Sequence, residues 1–106
     1  MLIDAYEIID KVYKGDIILN SSGTLKVSGI VDGNITVNAN SKVEITGILN
    51  GNLIVSENAE AIVRGIVNST ITNYGFLTIF GIVSKLNNYS NLLSIKPDAI
   101  IDGKKY

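Results

Sequence analysis

Apolar and polar residues alternate with a period of two along much of this chain. In the block 29–46 the odd positions carry the apolar residues, which are Val31, Ile35, Val37, Val43 and Ile45. Alternation of this kind is typical of β-strands with one buried face. The segment 38–41, Asn-Ala-Asn-Ser, interrupts the alternation and predicts a turn, because asparagine bonds its own backbone and tolerates left-handed conformations. The block therefore predicts short strands joined by turns.

The same block recurs every 18 residues, and each copy carries glycines at fixed positions. The glycine columns comprise Gly15, Gly29, Gly33, Gly47, Gly51, Gly65 and Gly81. A short fixed period indicates one structural unit that is stacked on copies of itself. Eighteen residues divide into three sides of six, so the sequence predicts an all-β, single-domain, three-sided β-solenoid. The corner glycines are expected to adopt the left-handed conformations that tight corners require.

The repeat shortens towards the C-terminus, since Gly65 and Gly81 are only 16 residues apart, with the deletion near the turn 73–75. We expect about five coils of 16–18 residues within residues 11–106. Residues 1–10 are expected to form an N-terminal cap. In this segment Leu2, Ala5, Tyr6 and Ile9 follow helical spacing, which predicts a short capping helix. An irregular first strand is the alternative.

The composition narrows the classes of function. The chain has 106 residues, a net charge of −1 and neither cysteine nor histidine. These counts exclude disulfides and remove the commonest general base and metal ligand. A net charge near zero argues against a phosphate-binding surface, so no nucleic-acid partner is expected. The N-terminus lacks the pattern of a signal peptide and no apolar run is long enough for a transmembrane segment, so we expect a cytoplasmic protein.

Three parts of the repeat resemble a known family. The corner Lys14-Gly15-Asp16-Ile17 and the segments 33–37 and 43–53 are similar to the pattern of bactofilins. Bactofilins are bacterial cytoskeletal proteins whose right-handed, three-sided β-helix joins end to end into non-polar filaments without nucleotide. The resemblance covers roughly residues 11–103 and implies the same handedness and a self-assembling scaffold. Family members usually carry proline-rich tails, whereas this chain has one proline.

One column of the repeat places apolar residues where the alternation predicts the outer surface. It consists of Val12, Ile30, Ile48, Ile66 and Ile82, and we name it the isoleucine column. Ile18 and Ile54 add apolar side chains in neighbouring columns. A contiguous apolar stripe of this length usually marks a protein contact. The alternative is that the corner glycines rotate the strands, so that both columns turn partly inward.

The recurrent polar and aromatic residues have structural explanations. Asparagines such as Asn20, Asn38 and Asn58 are expected to form turns and stacked amide ladders. Tyr74 and Tyr89 recur at matching positions and either pack under a loop or provide a stacking platform for a sugar or a base. The acidic residues do not recur together as oxygen ligands would, so no metal site is predicted.

The sequence leaves two classes of function. Left-handed β-helix acyltransferases also use 18-residue coils, but they typically depend on a histidine that this chain lacks, so no enzyme and no cofactor is predicted. The first class is a scaffold that associates with copies of itself through the solenoid ends, the isoleucine column or both. The second is a small protein-binding module, such as an immunity or antitoxin protein, that covers the active site of one partner protein.

Overall fold

A computed structural model describes residues 1–20 and 22–106, and in this part of the chain all regular structure is β-strand. The short strands alternate with corners and turns. In chain order they are β1 (Leu2–Ile3), β2 (Tyr6–Ile9), β3 (Val12–Lys14), β4 (Ile17–Leu19), β5 (Thr24–Val27), β6 (Ile30–Asp32), β7 (Ile35–Val37), β8 (Lys42–Ile45), β9 (Ile48–Leu49), β10 (Leu53–Val55), β11 (Glu60–Val63), β12 (Ile66–Asn73), β13 (Phe76–Ile79), β14 (Ile82–Asn88), β15 (Leu93–Ile95), β16 (Ile100–Ile101) and β17 (Lys104–Lys105).

The strands stack into parallel ladders on three sides of a shared core, which makes a β-solenoid of about six turns. The first side contains β3, β6, β9, β16 and the first parts of β12 and β14. The second side contains β1, β4, β7, β10 and the remaining parts of β12 and β14. The third side contains β2, β5, β8, β11, β13 and β15. The predicted all-β solenoid is confirmed, with about one turn more than expected.

The predicted period is also the observed register in the middle of the solenoid. Ile35 pairs with Ile17 on one side and with Leu53 on the other, each 18 residues away. The side chains at these three positions are fully buried, and so are their counterparts on the other two sides, such as Val43 and Leu49. Because like positions stack at the spacing of hydrogen-bonded strands, about 4.8 Å, the interior is a set of aliphatic columns.

The prediction of a capping helix at residues 1–10 is wrong. This segment forms β1 and β2, which pair in parallel with β4 and β5, as the alternative of a first strand foresaw. Ile3 and Ile9 enter the core, whereas Leu2 and Tyr6, which the helical spacing had placed on an apolar face, are exposed. The backbone of the second coil decides the outcome, because its unpaired groups offer hydrogen-bond partners that a helix could not use.

The expected reason for the corner glycines is also wrong, except at Gly15. Gly15 has a positive φ of 139°, but Gly47 and Gly51 do not lie in the left-handed region. Instead, a Cβ atom on Gly51 would lie 1.9 Å from the carbonyl oxygen of Gly33 in the preceding coil, and one on Gly47 would lie 2.0 Å from that of Gly29. Glycine is required because stacked corners approach too closely for any side chain.

An antiparallel hairpin ends the first side. After β16 the chain reverses, and β17 pairs with β16 through Ile100↔Lys105 and Ile101↔Lys104. Beyond this pair, the backbone N–H of Asp98 donates to the carbonyl of Tyr106 at 2.7 Å, and an ion pair joins Lys105 to Asp98 at 3.3 Å. The strand β17 therefore lies where the next parallel strand of this ladder would be added.

We expect Gly51→Ala to lower the free energy of unfolding by about 3 kcal/mol or more, because its methyl group would overlap a backbone carbonyl that cannot move alone. The matched control is Ser69→Ala, one coil later in the same column, where β12 runs unbroken through the corner and a Cβ atom is already present. The control should lose less than about 1.5 kcal/mol. Denaturant unfolding measures both values, and equal midpoints for the two variants would contradict the close-approach explanation.

Candidate interaction surface

The isoleucine column forms one continuous ladder on the outer face of the first side. Successive members pair directly, from Val12↔Ile30 through to Ile66↔Ile82. Val12 and Ile82 are 57% and 42% exposed, and the members between them are half-buried. The residues that follow them, such as Val31 and Leu49, are buried in the core. The column therefore lies outside the core and is open to a partner.

Ile100 is a further member of this ladder that the sequence reasoning missed. It pairs with Ile82 and is half-buried in the same way. The signal in the sequence was the spacing of 18 residues between Ile82 and Ile100, but Ala99 stands where a glycine precedes the four isoleucines before it in the column. With Ile100 the apolar ladder extends over six coils, which is roughly 24 Å at the spacing of stacked strands.

Polar side chains border the isoleucine column on both edges. On one edge Asn68 donates to Asn50, and Asn50 donates to Asp32, at 2.7 and 2.8 Å. On the other edge Arg64 lies over the ring of Phe80 at 4.3 Å and bonds Glu44 at 3.1 Å. An apolar centre with a satisfied polar rim is the arrangement found at protein–protein interfaces.

The two ends of the solenoid carry opposite charge. Residues 1–16 contain four acidic residues and two lysines, whereas residues 85–106 contain four lysines and two acidic residues. The side-chain charge is thus −2 in the first segment and +2 in the last. A symmetric contact between two like ends would bring equal charges together, which is unfavourable at low ionic strength.

The asparagines form the expected ladders, which link neighbouring coils. At the corner between the first and second sides, the backbone N–H of Asn34 donates to Asp16, and that of Asn52 donates to Asn34, both at 2.9 Å. At the next corner Asn38 donates to Asn20. Asn58, in the turn, has a positive φ of 63° as expected for asparagine. These side chains satisfy backbone and amide groups within the corners.

Tyr74 and Tyr89 are exposed and are not packed under a loop. Their rings stack on each other with centroids 5.2 Å apart and planes inclined by 13°. They line a groove of about 830 Å³ on the corner between the second and third sides. We name it the tyrosine groove, and the residues that define it here are Glu57, Glu60, Tyr74, Phe76, Tyr89 and Leu92.

The groove exists because one turn is shorter than those beside it. Ala61 follows Val55 by six positions, but in the next coil their register partners, Leu77 and Asn73, are only four positions apart. In the coil after that, Leu93 follows Asn88 by five. The turn 74–76 is therefore drawn in between two longer turns, which leaves a notch open to the outside.

Asn73 holds the short turn in place from within the core. Its side chain is fully buried, and its Oδ1 accepts from the backbone N–H of Gly75 at 3.0 Å. Its Nδ2 donates to Oδ1 of Asn88 at 2.9 Å in the following coil. A Cβ atom on Gly75 would lie 2.3 Å from the carbonyl oxygen of Ser56, so the turn also lies directly on the preceding one.

We expect Asn73→Ala to lower the free energy of unfolding by about 1–3 kcal/mol, because the buried N–H of Gly75 would lose its acceptor. Asn87→Ala is the matched control, since Asn87 lies on the outward side of the same strand layer. It should change stability by less than about 0.5 kcal/mol. Thermal or denaturant unfolding of both variants decides the matter, and an unchanged Asn73 variant would show that the amide does not hold the turn.

Comparison with known proteins gives no match to this chain among family models, curated proteins or solved structures. The resemblance to bactofilins therefore stays a prediction from the repeat. Within residues 1–20 and 22–106 there is no cluster of three or more acidic, cysteine or histidine side chains that could hold a metal ion, and no helix capable of crossing a membrane. The isoleucine column and the tyrosine groove are the surfaces from which a function can be inferred.

Proposed function

We propose that this protein is a non-enzymatic scaffold, similar to bactofilins, that associates with copies of itself through the isoleucine column. The observation that carries the proposal is the unbroken aliphatic ladder from Val12 to Ile100 on the outer face of one side. A bacterial, cytoplasmic protein is part of the same proposal and rests on the resemblance.

The ladder suits a contact between two identical faces. Two copies related by a two-fold axis would place the column of one against the column of the other, and such an interface closes on itself. Apolar area removed from water contributes about 25 cal/mol per Å². The polar rim formed by Asn50, Asn68 and Arg64 is already paired within one chain, so packing the centre leaves few polar groups without partners.

The solenoid ends are less favourable for self-association than the lateral face. The resemblance implies contacts from end to end, but β17 lies where the first ladder would continue into another molecule. In a non-polar filament, identical ends of neighbouring molecules meet. Because identical ends carry the same charge, this contact is unfavourable. The lateral column has neither obstacle, which favours a dimer as the first assembled species.

The hairpin also favours a second candidate function. A solenoid with one ladder closed by β17 suits a module of finite size, such as an immunity or antitoxin protein that covers a partner's active site. Such a module would use the isoleucine column to contact a different protein. A purified chain that remains monomeric at high concentration would support this candidate over the scaffold.

Ile48→Lys is expected to abolish self-association, because it places a charge at the centre of the apolar ladder. The matched control is Ile62→Lys, since Ile62 is a half-buried, outward isoleucine on β11 of the third side. Light scattering across a concentration series measures the mass of each protein, and unfolding midpoints check that both variants remain folded. We expect a dimer or larger assembly for the unaltered chain and for the control, and a monomer for Ile48→Lys.

Two results would contradict the scaffold proposal. One is an unaltered chain that stays monomeric throughout the concentration series. The other is equal loss of assembly in the Ile48 and Ile62 variants, which would show that any added surface charge disrupts association. Filaments that persist in Ile48→Lys would assign assembly to the solenoid ends instead of the lateral face.

A further inference from the structure

The tyrosine groove combines aromatic rings with negative charge in one open depression. Tyr89 and Tyr74 form its stacked wall, and Phe76 and Leu92 add exposed apolar surface. Glu57 and Glu60 supply carboxylates from the neighbouring turn and from the start of β11. Its volume of about 830 Å³ falls within the range of ordinary ligand sites.

The negative charge of the groove is only partly offset within the chain. Glu57 is exposed and has no salt bridge among the described residues, and Glu60 has only a long contact of 3.9 Å with Lys42. No lysine or arginine of the described chain lines the depression. The lining side chains therefore carry a charge of −2, which Lys42 beside Glu60 offsets in part, although the whole chain carries only −1.

Exposed aromatic rings beside carboxylates are the environment that organic cations favour. A guanidinium or ammonium group is attracted by the face of an aromatic ring and by a nearby negative charge, and the two attractions add. A guanidinium also stacks on aromatic surfaces while its N–H groups bond carboxylate oxygens. Phosphate-bearing ligands meet the opposite situation, because the carboxylates repel them.

We propose that the tyrosine groove binds an arginine side chain carried by an extended basic segment of a partner protein. The guanidinium lies against the ring of Tyr89 or Phe76 and pairs with Glu57 or Glu60, while the flanking backbone of the partner follows the notch above the turn 74–76. This site lies on the corner between the second and third sides, whereas the isoleucine column lies on the first side, so the site does not depend on self-association.

The short turn after Asn73 makes this corner different from the equivalent corners of the other coils. In the regular coils the positions equivalent to Tyr74 are Ser56 and Asn38, whose side chains bond each other as part of the amide ladder. Two fewer residues after Asn73 and a tyrosine at this position together create the wall and the space in front of it. A partner that recognised only the repeated surface would not distinguish this corner from the others.

The test uses the unaltered full chain and a short peptide of alternating glycine and arginine. Chemical shifts of the backbone amides locate binding, and a matched peptide of alternating glycine and glutamine controls for the backbone. We expect saturable shifts confined to residues near Tyr74, Phe76 and Tyr89 with the arginine peptide. Combined Glu57→Gln and Glu60→Gln should weaken binding by about tenfold or more.

Two further variants separate the contributions. Tyr89→Leu keeps apolar bulk but removes the ring, and it should weaken binding by about threefold or more. Asp4→Asn removes an exposed carboxylate in the first coil, outside the groove, and should leave affinity unchanged. Unfolding midpoints for each variant confirm that the fold is retained.

Three results would overturn the proposal. The first is no saturable binding of the arginine peptide by the unaltered chain. The second is equal weakening by Asp4→Asn and by the paired glutamine variant, which indicates unspecific attraction. The third is equal binding of the glutamine peptide or of a neutral oligosaccharide at the same residues, which would assign the groove to uncharged ligands.

Discussion

Hydrogen bonds between successive coils are the constraint on which this molecule depends. The N–H of Ile35 donates to the carbonyl of Asn52 in the next coil, and the N–H of Asn38 donates to Leu19 in the previous one, at 2.9 and 3.0 Å. Because every backbone bond of this kind joins coil to coil, the spacing is set at about 4.8 Å and each residue lies over its counterpart. Side chains must then be compatible with copies of themselves.

That requirement explains the features that recur. Where two backbones meet at a corner, only glycine fits, as the carbonyl of Gly33 beneath Gly51 demonstrates. At the next residue of the same corner, Asx side chains accept from the backbone N–H of the next coil and so continue the ladder through the bend. Where a position points outward, repetition of isoleucine produces a stripe, which is why a small chain displays an apolar face.

Two departures from the 18-residue period give the solenoid its non-repeated surface features. The turn after Asn73 lost two residues relative to the regular coils, and the buried amide of Asn73 compensates by bonding Gly75 and Asn88. The strand β17 reverses direction and ends the first ladder. A groove and a closed ladder arise at these two irregularities, so the repeat supplies a stable frame and the exceptions distinguish its surfaces.

The sequence by itself determined the solenoid, the period of 18 residues, the core columns and the isoleucine column, because local alternation and exact repetition leave few other ways to bury these residues. Only the tertiary structure decided the conformation of residues 1–10. Their apolar residues have helical spacing, but they form β1 and β2, which pair with the second coil. The tertiary structure also decided the tyrosine groove and the membership of Ile100, because both depend on how coils of unequal length lie against one another. Contacts between coils, which no single block of residues contains, set those outcomes.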